Sequence, residues 1–151
     1  MTDELAGEPV PATPPTVSDE QADSFTFDSS TLGIDADSGT YNDCGVAFLA
    51  PATGRVLVLF DADLDNSGTQ FTVMAPVLRS GDVVGSGTNL GDADPEHSVY
   101  TSGDRLRMGS HWLVEGLTPG DPYNVRLEHR TTGGATTGTI LRRSVTVMPA
   151  P

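Results

Sequence analysis

The sequence predicts an all-β chain, an antiparallel β-sandwich preceded by an extended N-terminal arm. Three observations lead there. Short Val-, Leu- and Thr-rich runs alternate with turn residues, 17 Gly and 11 Pro in 151 positions, which favours strands over helices. About nine such runs follow one another at sandwich-like spacing, with no convincing helix between them. The stretch Gly116-Leu117-Thr118-Pro119-Gly120-Asp121-Pro122-Tyr123 supplies a turn and then a tyrosine at the start of a strand. Pro119 presets φ and Gly120 accepts a positive φ. A tyrosine so placed packs over the turn and bonds upstream backbone, the tyrosine corner of β-sandwiches.

Residues 1–23 form the predicted arm and residues 24–151 the sandwich. The arm carries Pro9, Pro11, Pro14 and Pro15, six acids and few large apolar side chains. It cannot bury enough surface to offset its ordering entropy, so it is either a disordered tail or a segment that orders along a partner. Ser24 to Asp28 alternates as a first strand and Val46 to Leu49 as a second, followed by a Pro51–Gly54 turn. Arg55 to Phe60 is the most apolar segment. Val56, Val58 and Phe60 face one side, Leu57 and Leu59 the other. A strand apolar on both faces calls for cover on both, and a single sandwich covers one, so the second face predicts a subunit interface.

Asp61, Asp63 and Asp65 have the opening spacing of a calcium loop. Asn66 stands where the sharp-turn glycine belongs, Thr72 where the last glutamate belongs, and strand alternation continues through Ala62 and Leu64. The three aspartates are therefore placed on a solvated edge. Phe71 to Arg79 alternates again, with Met74 and Leu78 on one side, and Pro76 predicts an edge strand or a bulge. Gly85 to Pro95 is predicted as a loop, and Ser98–Tyr100 and Leu106–Met108 as short strands. His111 to Glu115 and Tyr123 to Arg130 form the expected hairpin around the tyrosine turn. Arg126 and Arg130 lie on its outward face, either as solubilising side chains or as partners for carboxylates of an arm or neighbouring chain. Thr131 to Gly138 is a hairpin tip, and Thr139 to Met148 the last strand, its alternation disturbed at Arg142-Arg143 by a predicted bulge.

Composition narrows the function. The net charge of −13 argues against direct contact with nucleic acid or an anionic membrane surface. Residues 1–43 hold ten acids and no basic residue, whereas all eight arginines lie in residues 44–151. Cys44 is the single cysteine and is expected to be a small buried residue. No apolar segment marks a signal peptide or a membrane span, which makes synthesis in a cytoplasm the expectation. His97, His111 and His129 show no zinc spacing, and no nucleophile elbow, phosphate loop or dinucleotide fingerprint appears. No enzymatic activity, cofactor or metal is expected, and His129 is placed as a packed side chain.

The turn phrase Gly116–Gly120 with Tyr123–Leu127 resembles fibronectin type III and immunoglobulin-like sandwiches, although the early-strand tryptophan is absent and Trp112 precedes the turn. A longer run resembles jelly-roll domains of tailed-bacteriophage virion proteins, particularly those of actinobacterial phages. It comprises Ala50-Pro51-Ala52-Thr53-Gly54-Arg55-Val56-Leu57-Val58, Asp65-Asn66-Ser67-Gly68-Thr69 and Gly138 to Val147, within residues 44–149. The resemblance implies a jelly roll that forms homotrimers on a capsid surface, neck or tail fibre, with the major capsid protein or another virion protein as partner. A capsid decoration protein that stabilises the shell is the first reading. Leu57, Leu59, Met74 and Leu78 are then the expected subunit interface, and Pro9, Pro11, Pro14, Pro15, Arg126 and Arg130 the arm or partner contacts. A minor tail or fibre protein holding host glycans through loops 85–97 and 131–138 is the alternative. A hydrolase would need clustered carboxylates in a cleft.

Overall fold

The computed structural model describes residues 13–133 and 136–151. Its strands are β1 (Val17–Gln21), β2 (Phe25–Phe27), β3 (Ser38–Gly39), β4 (Gly45–Leu49), β5 (Val56–Asn66), β6 (Thr72–Ser80), β7 (Asn89–Asp92), β8 (Val99–Thr101), β9 (Leu106–Val114), β10 (Pro122–Thr131) and β11 (Gly138–Pro149). One sheet has the order β3-β2-β11-β5-β9, with β1 also paired to β11. The other has the order β4-β10-β6-β7, with β8 also paired to β6.

All pairings are antiparallel, and they nest. β11 lies against β1 and β2, β10 against β4, β9 against β5, and β7 and β8 against β6. Such a chain is one long hairpin rolled up so that successive pairs alternate between two sheets, which is a jelly roll. The nesting decides between the two sandwich expectations.

The core lies between the sheets. Phe25, Phe27, Val56, Val58, Phe60, Leu64 and Ile140 of the first sheet meet Met74, Leu78, Val125 and Leu127 of the second, all buried. β5 shows the alternation that the sequence predicts, with Val56, Val58, Phe60, Ala62 and Leu64 inward. It continues as a strand through Asp61, Asp63 and Asp65, so these residues do not form a loop. Asn66 is buried at its end, where Nδ2 donates to Thr72 Oγ1 (2.9 Å) and Oδ1 accepts from Thr136 Oγ1 (2.7 Å).

Several expectations change. Val17–Gln21 lies within the predicted arm but forms β1, because its backbone finds the free edge of β11, from Val17 opposite Val147 to Gln21 opposite Arg143. Asp19 Oδ2 accepts the Gly45 N–H at 3.0 Å, tying β1 to the other sheet. β9 and β10 are not a hairpin: they belong to opposite sheets, and the tyrosine turn carries the chain across the sandwich. There the Thr118 N–H donates to Tyr123 Oη at 3.0 Å, as the tyrosine corner requires. The Thr131–Gly138 connection likewise crosses between sheets. β6 is an interior strand. Pro76 fits there because its nitrogen faces the gap between β7 and β8, where its carbonyl accepts only the Ala93 N–H. The register shift between Ile140 and Arg142 is the bulge expected in β11.

Candidate functional site

Two outer surfaces present side chains that the fold itself does not consume. The first is the outer face of β9, β5, β11 and β1. Register places Leu113, Leu57 and Met148 side by side across three strands, with His111, Leu59 and Thr146 in the next row. Leu59 and Leu113 are about two-fifths exposed, and Leu57 and Met148 half-buried. Among the described residues no element covers this face. Directly opposed apolar pairs support each other, and together they make an exposed apolar patch.

Further along the same face the rows turn charged. Arg105 donates from Nε to both Asp63 oxygens, at 2.9 and 3.1 Å, and holds that carboxyl below the usual carboxylate range. Arg107 Nη2 reaches Asp61 Oδ1 at 2.9 Å, and Ser144 Oγ donates to Asp61 Oδ2 at 2.7 Å. These exposed pairs fix position more than they stabilise.

The second surface is the outer face of β10, β6 and β8. Much of it lies under the connections that run from β6 to β8. Asn124 is fully buried there. Its Nδ2 donates to the carbonyls of Gly81 (3.0 Å) and Ser86 (3.1 Å), and its Oδ1 accepts the Gly85 N–H (3.0 Å). Glu128 Oε1 accepts from Arg79 Nη2 at 2.7 Å and from Arg126 Nη2 at 2.8 Å, with all three side chains largely buried. Arg130 grips Asp94 with two donors, at 2.6 and 3.0 Å. Where the cover ends, a cleft of about 220 Å³ opens between Phe71, Val73, Pro95, Ser98, Tyr100, Arg130 and Thr132. The Phe71 and Tyr100 rings meet edge to face, centroids 5.3 Å apart, and remain 38% and 50% exposed.

The predicted contact residues divide accordingly. Leu57 and Leu59 lie on the uncovered face. Met74 and Leu78 do not: they are 0% and 4% exposed and point between the sheets. Both faces of β6 are apolar, and alternation alone does not say which one turns inward. Arg126 and Arg130 are corrected as well. They are outward but not free, because the β6–β8 connections bring Asp94 to Arg130, while Glu128 and Asp43 take Arg126. Pro14 and Pro15 line an apolar groove of about 510 Å³ with Ala47, Phe48, Leu49 and Pro122. Pro9 and Pro11 lie outside the described residues.

Sequence reasoning missed Arg143, the largest fully buried side chain among the described residues. The bulge turns it inward, where Nη1 meets Asp23 Oδ1 at 3.1 Å and the guanidinium lies 4.9 Å from the Phe25 ring centre. The one sequence signal was the broken alternation at Arg142-Arg143. His129 is packed as expected, its ring 4.1 Å from that of Phe27. Nε2 donates to the Asp35 carbonyl at 2.6 Å, and burial pulls its pKa down to about 4. Cys44 is buried, which pushes its thiol up to about 12. Among the described residues no group of three His, Cys, Asp or Glu side chains is placed to hold a metal ion.

No protein-family model matches the sequence, and no curated protein matches it. Solved structures are similar in fold. Infectious bursal virus derived T=1 particles give 13% identity over 90% of this chain and 32% of that chain, with a TM-score of 0.49. The infectious bursal disease virus Gx strain gives 12% identity over 89% and 31%, with a TM-score of 0.47. The CBM36-1 domain of a multidomain xylanase from the hindgut metagenome of Trinervitermes trinervoides gives 10% identity over 91% and 99%, with a TM-score of 0.40. The chain spans about a third of the length of the viral chains. The likeness in each case is one of fold.

Proposed function

We propose that this chain is a non-catalytic structural protein of a virion, a capsid decoration protein of a tailed bacteriophage that forms trimers and is anchored by its N-terminal segment. The observation that carries the reading is the Leu113–Leu57–Met148 row with Leu59 beside it, exposed on a sheet face with no cover among the described residues. Burying that face between copies removes apolar surface from water. Bridging of capsomers by such an assembly stabilises a shell by mass action and avidity. The sequence resemblance to phage jelly rolls supports the trimer and the virion setting.

Solution mass by light scattering tests it. The native chain is expected as an oligomer, and Leu57→Asp with Leu59→Asp as a folded monomer, because both side chains point away from the core. A native chain that is monomeric at every accessible concentration overturns the reading.

A second reading, a tail or fibre component that holds host surface glycans, has one specific observation in its favour. The two loops assigned to recognition converge: Pro95 from one and Thr132 from the other both border the cleft that exposes Phe71 and Tyr100.

A further inference from the structure

The cleft beside Phe71 and Tyr100 has features that the fold does not explain. Val73, its floor, is buried and packed, and Arg130 and Asp94 on its flank satisfy each other. Both rings, by contrast, stay substantially in water although the β7–β8 connection passes beside them. Their perpendicular setting forms a corner, one wall a ring face and the other a ring edge. An aromatic face is electron-rich and attracts weakly positive C–H groups. Around the corner stand hydroxyls: Ser98 Oγ, which donates to the Pro95 carbonyl (3.1 Å), and Thr132 Oγ1, which accepts the Phe71 N–H (2.8 Å) and donates to Gln70 Oε1 (3.2 Å), leaving each oxygen a lone pair for a ligand hydroxyl. A few polar groups at the rim of an apolar corner orient a ligand that has one C–H face and a hydroxylated edge.

We infer that this corner binds a single neutral hexopyranose unit of a polysaccharide, with its C–H face on the Tyr100 ring and its hydroxyls toward Ser98 and Thr132. The inference rests on the second reading above and supplies its site and ligand class. Size selects one ring, since about 220 Å³ is below the usual range for larger ligands. Charge selects a neutral sugar. The chain carries −13, Asp92 ends β7, Asp94 and Glu96 lie on the adjoining connection, and Arg130, the cation lining the cleft, is already paired with Asp94. A uronate or sialate meets repulsion, and no unpaired cation among the described residues lining the cleft offsets it.

The test is a titration of the full chain, followed by NMR, with methyl glucoside, methyl galactoside and methyl mannoside, and with methyl glucuronide as the charged control. At least one neutral glycoside is expected to move the resonances of Phe71, Tyr100 and Thr132 saturably, and the glucuronide to bind more weakly. Tyr100→Ala is expected to weaken binding about tenfold, the loss of one aromatic contact, while Tyr100→Phe keeps most of it. Thermal melting of both variants confirms the fold, and if Tyr100→Ala melts early, Phe71→Ala serves in its place.

Saturable shifts that map only to residues 85–92 remove this site and leave the glycan reading standing. Silence of all neutral glycosides overturns the inference, and silence of immobilised envelope polysaccharides as well removes the glycan reading with it. A change of solution mass in the Tyr100→Ala variant with unaltered sugar binding also overturns the inference, assigning the corner to contact between copies.

Discussion

His129 shows how a single side chain carries pH dependence through the whole fold. Its imidazole sits among Phe25, Phe27 and Tyr41 and gives its Nε2 hydrogen to the Asp35 carbonyl, so the folded protein holds it neutral. Burial depresses its pKa from 6.5 to about 4, so between those values the unfolded chain binds the proton more readily. Stability therefore falls as pH drops from about 6.5 toward 4, by up to about 3 kcal/mol. Denaturant unfolding at pH 7, 5.5 and 4.5 checks this. His129→Gln is expected to flatten the slope in that window even where it lowers stability at pH 7. His129 was legible as a packed residue because it is in phase with Val125 and Leu127. Arg143 was not, because a bulge of one residue decides which face it takes, and bulges depend on the partner strand.

At the scale of elements, β10 is the instructive case. Its alternation correctly gives Val125 and Leu127 to the core, yet the opposite side is almost as well buried. The cover comes from loops whose path over the sheet no local pattern encodes. Under that cover Glu128 serves two arginines at once. Glu128→Gln leaves the Arg79 guanidinium buried without its anion and Arg126 with Asp43 alone, and a loss of about 3–5 kcal/mol is expected in chemical denaturation. A loss below about 1 kcal/mol shows instead that the β6–β7 connection lifts and lets water in. The tyrosine corner was readable because Pro119, Gly120 and Tyr123 act within a few residues of one another. That the corner joins two sheets was not, since strand partners are chosen at long range. β1 was hidden for the same reason: Val-Ser-Asp-Glu-Gln has no strand signature, and its ladder comes entirely from β11.

For the molecule as a whole, charge opposes the assembly proposed for the apolar face. Copies carrying −13 repel one another, and raising salt from about 0.01 to about 0.15 M shortens the screening length from about 30 to about 8 Å. Self-association through Leu57, Leu59, Leu113 and Met148 is therefore expected to tighten with added salt, as measured by sedimentation at constant protein concentration. Weakening with salt instead assigns the contact to the Asp61, Asp63, Arg105 and Arg107 rows of the same face. The sandwich class was legible from turn spacing and the tyrosine turn, whereas the faces left uncovered depend on which strands lie under loops.

The nested pairing has a consequence for how the protein is made. Residues 17–21 find their ladder only against residues 143–147, and Phe25 to Phe27, beyond the short β3, reach the rest of their sheet through residues 138–140. During translation the growing chain thus completes its first sheet only after every strand of the second has been made. Until then β5 lacks its β11 neighbour, and nascent chains on one messenger offer each other the same vacant ladder.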